Sequence, residues 1–392
     1  MPPPSESRSH HLTAVMRDGE RVTSLELFFD LVFVLALTQC TALMASEPTW
    51  QGLLKGVLVL GVLWWSWVGY AWLTSAVDPE EGSVRLVMLA AMAALLVAAL
   101  CVPGAFGSEA LLFALAYGVV RVAHIGLFML ASREDEALRR SVLGLAVGTV
   151  IGVGLLVGAS FVHGDLRLEL WGLALVLDAI GPFLFGAEGW KLVPGHFAER
   201  HGAIIIIALG ESVAAIGAGS TSKIGTGVVA AAVLGTVATG ALWWLYFDIV
   251  AIVAQRRLSK AAEGRERNEI ARDSYSYIHF LMVAGIALVA LGLKRTLEDV
   301  DASLGVVSAT AMLGGAALYL LAHVAFRWRN LHRVSWHRVL GAALLGVLLL
   351  VESQAKPSSL ATLGALAAVL SLLIAYESRR FADLRDRLRH DL

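Results

Sequence analysis

Apolar runs of about 20 residues, the length that crosses a bilayer as a helix, recur along the whole chain and alternate with short polar stretches. Twelve such segments can be laid out, at 25–45, 52–77, 84–102, 109–131, 141–162, 168–186, 201–219, 226–254, 274–293, 303–326, 336–352 and 359–377. Each reads as a membrane-spanning helix. The expected fold is therefore all-α, a polytopic membrane protein of about twelve transmembrane helices.

The placement of positive charge supports that count. With the N-terminus inside, the inward segments hold 24 Lys and Arg and the outward ones hold 6, namely Lys55, Arg167, Lys223, Lys294, Arg295 and Lys356. Arg121 is the remaining one and lies within a helix. Cytoplasmic loops of membrane proteins carry such an excess, and a missed or extra span would scramble the alternation. The chain thus reads as a bacterial inner-membrane protein with both termini cytoplasmic. Residues 1–20 are polar and Pro-rich and lack the apolar centre of a signal peptide, so they read as a disordered cytoplasmic tail. Residues 381–392 form a second cytoplasmic tail.

The pattern also repeats. Leu63-Trp64-Trp65 in the second segment matches Leu242-Trp243-Trp244 in the eighth, and Ala123-His124 in the fourth matches Ala322-His323 in the tenth. Ala36-Leu37 in the first matches Ala208-Leu209 in the seventh. Landmarks offset by six helices suggest two parallel six-helix repeats, at 21–190 and 191–380.

Composition narrows the function classes. The chain is 57% hydrophobic and 16% charged, with net charge −1, which gives no footprint for a nucleic-acid partner. Its partner is the lipid bilayer. Cys40 and Cys101 form no disulfide framework and read as two buried free thiols. No phosphate-binding loop, HExxH or GxSxG occurs, so ATP-driven pumping and zincin proteolysis lack support. No cofactor is expected. Gly144, Gly148, Gly152, Gly154 and Gly158 in the fifth segment suit tight internal packing, with a homo-oligomer interface as the alternative.

Candidate chemistry comes from polar residues where apolar ones are cheaper. Glu26 and Asp30 stand four apart on one face of the first helix, with Gln39 beyond them. Arg121, Asp178 and Glu211 fall near mid-membrane, and Tyr117, Arg121 and His124 share one helical face. Arg121 requires a carboxylate or water. Asp178 and Glu211 have matching depth, and Asp30 ranks third. Glu199, Arg200 and His201 are expected where the seventh helix begins, and Glu211-Ser212 three turns on along the Arg200 face. Gly210, beside Glu211, suits either a bend around a site or plain close packing. His196 and His201, five apart, lie off one face, so no metal is expected there. Such charges either fasten helices together or line a path for a solute or ion.

Two stretches, RVTSLELFFDLVFVLALTQ at 21–39 and HFAERHGAIIIIALGES at 196–212, resemble the bacterial low temperature requirement A family. The resemblance implies a multi-pass inner-membrane protein linked to growth in the cold, and it implies no molecular activity. The motif residues present are Glu26, Phe28, Phe29, Asp30, Phe33, Gln39, Glu199, Arg200, His201, Gly210, Glu211 and Ser212. Phe28 to Phe33, followed by Ala36-Leu37-Thr38, is also similar to the first helix of the endolysosomal potassium and proton channels, with its Phe-Ser-Asp-Gly-Val-Phe motif. Here Phe29 replaces Ser, Leu31 replaces Gly, and the seventh segment holds no copy.

Three functions follow. The first is a secondary transporter or channel for a small solute or ion, using buried charges on helices 1, 4, 6 and 7. The second is a membrane-embedded enzyme acting on lipid, with the region of Glu211 and His201 as acid and base. The third is a structural or sensory protein whose charges only lock helices.

Overall fold

The computed structural model describes residues 21–80, 82–184, 189–219 and 224–390. The tail at 1–20 and Lys223 lie outside the described residues. The described chain is helical, and each of the twelve apolar segments falls on a helix: α1 Ser24–Ser46, α2 Trp50–Ala76, α3 Gly82–Cys101, α4 Ala110–Ala131, α5 Glu136–Ser160, α6 Asp165–Leu184, α7 Pro194–Gly219, α8 Thr226–Phe247, α9 Val250–Lys260, α10 Arg265–Glu298, α11 Gly305–Leu331, α12 Trp336–Ala355 and α13 Ser359–Arg380. A short helix, Ala382–His390, follows. Among the described residues, 11 candidate spans are long and apolar enough to cross a membrane, α8 and α9 counting as one. Helix α6 is not among the 11. It carries Asp165, Arg167, Glu169 and Asp178, too many charges for an apolar window.

Helix starts follow local chemistry. Thr23 and Glu26 cap each other's backbone at the head of α1, a reciprocal capping box. Thr49, Asp135 and Ser358 cap α2, α5 and α13 with their side chains. Helix α7 begins at Pro194, seven residues earlier than its apolar run predicts. Hydropathy misses that stretch because His196 and Arg200 are buried against carboxylates on α1. Glu199, Arg200 and His201 are therefore inside the helix, not at its mouth. Helix α7 also runs unbroken through Gly210, which has open space around it.

The outer surface is apolar. Val122, Val150 and Leu350 are 69%, 72% and 67% exposed, as expected of side chains facing lipid. Helices α2 and α10 are the most enclosed spans. Helix α1 packs against α2, α3, α7 and α10, and α10 packs against α7 and α11. At the last crossing a Cβ added to Gly285 would lie 2.7 Å from the Gly315 carbonyl oxygen, and one added to Gly315 would lie 2.7 Å from that of Gly285. Both positions must be glycine for the backbones to meet. Two π turns, Ala271–Ile278 and Thr310–Gly314, widen α10 and α11.

Three expectations change. Arg167 does not sit in an outer loop: it lies in the first turn of α6, buried, and donates to the carbonyls of Phe106, Ala159 and Val162. Of the α5 glycines, Gly152 packs against α6, whereas Gly148, Gly154 and Gly158 have open space around them, so tight internal packing does not account for that row. The two Leu-Trp-Trp stretches lie in unlike surroundings, since Trp64 is fully buried and Trp243 is 45% exposed. Cys40 and Cys101 are both buried free thiols.

Candidate functional site

The first constellation is the seam between α1 and α7, whose acidic and basic residues share the same four-residue spacing. Glu26 and Asp30 on α1 face His196 and Arg200 on α7. An ionised Glu26 can only accept, so His196 Nε2 donates to Glu26 Oε1 at 2.8 Å. One turn deeper, Arg200 Nη2 lies 3.0 Å from Asp30 Oδ1, and both side chains are 0% exposed. Trp67 on α2 donates its indole N–H to the same oxygen at 2.8 Å and lies under the guanidinium, 5.6 Å from ring centre to Cζ. Further along, Thr38 on α1 donates to Glu211 on α7. Arg200 and Glu211 thus both face α1, as their spacing predicts.

This seam retains unused hydrogen-bonding capacity. The Arg200–Asp30 contact has ion-pair distance but not hydrogen-bond geometry. All three guanidinium nitrogens of Arg200, together with Asp30 Oδ2, lack hydrogen-bond partners among the described residues. His201 Nδ1 must donate to the Phe197 carbonyl, at 2.8 Å, so its Nε2 is a lone-pair acceptor, and it too is unpartnered. The hydroxyl of Tyr275 is likewise buried without a partner. The rings of Tyr275 and His279 each lie about 5 Å from that of His201. The π turn of α10 brings them there. His279 Nδ1 donates to Ser274 O at 2.9 Å and Nε2 accepts from Tyr246 at 2.9 Å, while the indoles of Trp64 and Trp72 donate to Ser276. Tyr275 also borders a cleft of about 510 Å³ that includes Arg21, Glu199 and Gln255.

The second constellation joins α4, α5 and α6. Arg121 meets Asp178 at 3.1 Å, Thr149 Oγ1 at 2.8 Å and the Trp65 carbonyl at 3.1 Å, and Tyr117 donates to the other Asp178 oxygen at 2.8 Å. Asp178 is thus the partner of Arg121. Glu211 bonds α1 instead, and Asp30 is committed to Arg200. A cavity of about 80 Å³ adjoins Arg121 and Asp178, walled by Trp65, Trp72 and Trp190. His124 also lines it, and neither of its ring nitrogens has a hydrogen-bond partner.

Of the remaining candidates, Glu199 is exposed and accepts the Val22 amide at 3.3 Å. Gln39 is half-buried, and Ser212 is buried with its hydroxyl unpartnered. Glu211 and His201 are ten residues apart on one helix, about 15 Å of rise, so no single reacting bond reaches both. Among the described residues, no group of three His, Cys, Asp or Glu side chains comes together to hold a metal ion.

A family model for the bacterial low temperature requirement A protein (LtrA) matches residues 21–375. The chain belongs to the LtrA family. The uncharacterized protein RA0937 of Rhizobium meliloti (strain 1021) is 30% identical to it over 354 residues, which covers 87% of this chain and 85% of that one. No solved structure matches. The two LtrA-like stretches of the sequence are the two sides of the α1–α7 seam, with Phe29 and Phe33 buried and Phe28 turned outward. Trp67 and Tyr275 are members that the sequence pattern does not single out: Trp67 is one of several tryptophans on α2, and Tyr275 sits in a polar turn at the head of an apolar run. The four-residue spacing of Tyr275 and His279, a polar residue inside that run, is the available signal.

Proposed function

We propose that this LtrA protein is a secondary transporter or channel for a small ion or solute, with the α1–α7 seam as its path. The observation that carries the reading is the open hydrogen-bonding capacity of Arg200, Asp30, His201 and Tyr275, buried among α1, α7 and α10 beside the cleft that Tyr275 borders. A charge that only fastens helices has every reason to be satisfied. Glu26, Asp30 and Glu211 supply carboxylates along the seam, and Arg121 with Asp178 sets a second polar layer beside it. Residence in the bacterial inner membrane with both termini inside is supported by the 24-to-6 distribution of Lys and Arg. Membership of the low temperature requirement A family supports a role in growth in the cold.

Two six-helix halves, 21–190 and 191–380, belong to the same proposal. Their support is a matching set of neighbours: α1 packs on α2 and α3 as α7 packs on α8 and α10, α3 on α4 as α10 on α11, and α2 on α6 as α8 on α13. The seam then lies where the first helix of each half meets the other, a recurrent position for transport sites.

Purified protein in liposomes tests the function. Vesicles should dissipate an imposed proton, sodium, potassium or chloride gradient faster than protein-free vesicles. Asp30→Asn should remove that increase while the protein still elutes as a folded species. Permeability equal to protein-free vesicles for all four ions would overturn the ion path.

A further inference from the structure

We infer that a separate cavity at the inner face of the second half is a binding site for a phosphate group that carries a neighbouring hydroxyl. The cavity has a volume of about 110 Å³ and lies between α9, α11, α12, α13 and the residues after α13. Its polar lining is Arg327, Asn330, Ser335, His337, Arg338 and Glu377, together with His323. None of these belongs to the α1–α7 seam.

The charges there are unevenly matched. Glu377 takes both Arg338, through Nε at 2.7 Å and Nη2 at 2.8 Å, and His337, at 2.9 Å. Arg327 has no carboxylate within ion-pair distance among the described residues, and its bond is to the Ser335 hydroxyl at 2.9 Å. The lining thus sets two arginines and a histidine against one carboxylate and carries a net positive charge. A cationic pocket favours an anion.

The histidine at its base points to the same ligand. Arginine can only donate, so His323 Nδ1 must accept from Arg338, and the ring proton of neutral His323 is on Nε2. That N–H is buried and has no partner. It needs an acceptor, which a phosphate oxygen supplies. On the wall, Asn330 uses its amide N–H₂ on Ser274 and on the Phe326 carbonyl, and its Oδ1 is buried without a partner. That oxygen needs a donor, which a hydroxyl supplies. Hydrogen phosphate has both features. So does the headgroup of a phosphatidylglycerol, for which Val250, Val253, Phe381 and Leu384 along the same cavity offer an apolar flank. The cavity lies beside the turn from α11 to α12, the side that the distribution of Lys and Arg assigns to the cytoplasm.

The test is binding, so its outcome is independent of whether the seam conducts. Full-length protein, delipidated in a neutral detergent, is analysed by native mass spectrometry with phosphatidylglycerol or phosphatidylcholine, and by thermal unfolding with 10 mM inorganic phosphate or 10 mM chloride. Retention of phosphatidylglycerol at least fivefold above phosphatidylcholine, reduced to parity by Arg327→Gln, identifies a lipid headgroup. Stabilisation by phosphate but not by chloride, lost in Arg327→Gln, identifies free phosphate. Either result supports the site. If Arg327→Gln does not fold, His323→Phe, which removes the donor and keeps the ring, should give the same loss. Equal retention of both lipids with no phosphate-specific shift overturns the inference, as does specific binding that both variants leave intact.

Discussion

Arg121 and Arg200 are both buried arginines paired with an aspartate, and they are held in opposite ways. Arg121 spends both terminal nitrogens on acceptors, a carboxylate, a threonine hydroxyl and a carbonyl, with a tyrosine completing its aspartate, and only its Nε lacks a partner among the described residues. Arg200 has a carboxylate at ion-pair distance and a tryptophan face, and its three nitrogens form no hydrogen bond. The first arrangement fixes four helices, α2, α4, α5 and α6, in register. The second leaves a buried cation with bonds still to make, the state expected of a group that meets a passing ion, water or solute. On the function proposed above, the same residue type serves as a fastener in one layer and as a contact point in the other.

The comparison breaks first at Arg121. Arg121→Ala leaves Asp178 buried without its counter-ion, a cost of about 3–5 kcal/mol, which should appear as a large fall in the thermal unfolding midpoint. Arg121→Ala combined with Asp178→Ala should cost less than the sum of the two single changes. Strict additivity would show that the pair is not the fastener. Arg167→Ala belongs in the same experiment. Its three carbonyl partners make it costly as well, where a loop residue would be neutral.

Arg200→Gln sharpens the contrast. Asp30 keeps the Trp67 indole bond, and Arg200 has no hydrogen bonds of its own to lose. The expected destabilisation lies at the low end of the about 3–5 kcal/mol for removing one partner of a buried pair, and below that of Arg121→Ala, which also gives up three hydrogen bonds. Ion flux in liposomes should nevertheless disappear. A loss of stability equal to that of Arg121→Ala, with flux retained, would make Arg200 a fastener too.

The sequence reveals much of this frame, for physical reasons. A membrane span must satisfy its own backbone, so length and hydropathy report it directly, and all twelve segments fall on helices. The Arg121–Asp178 pair is legible because a mid-membrane arginine demands a carboxylate of matching depth. The seam is not legible as a seam. His196 and Arg200 show the spacing of Glu26 and Asp30, yet the pairing spans 170 residues, and no local period encodes it. His196 reads more readily with its neighbours Glu199 and His201 than with a partner on another helix. The early start of α7 is hidden for the same reason, because tertiary partners make its polar first turns cheap to bury. The aromatic members fail differently. A buried Trp67 or Tyr275 looks like packing until a polar atom at its tip is seen to have, or to lack, a partner.

The smallest effect lies outside the membrane and tests a cap. Asp135 accepts the Leu138 amide at 3.1 Å at the head of α5, with Lys191 3.5 Å away, and these interactions hold its carboxyl below the ordinary 3.8. A carboxyl with a depressed folded-state pKa contributes stability above its unfolded value, and that contribution fades as pH falls through the folded one. The side chain is partly exposed, so solvent screens the charge part of this contribution. Asp135→Ala should cost about 1 kcal/mol near pH 7, the usual worth of an N-cap. Asp135→Asn keeps a capping oxygen and removes the ionisation. It should therefore match wild type more closely at pH 7 and lose less of its unfolding midpoint when pH is lowered below about 4, where an unperturbed aspartate protonates. Wild type and Asp135→Asn falling in parallel over that range would show that the carboxylate charge at the head of α5 contributes nothing, and the cap would then rest on its hydrogen bond alone.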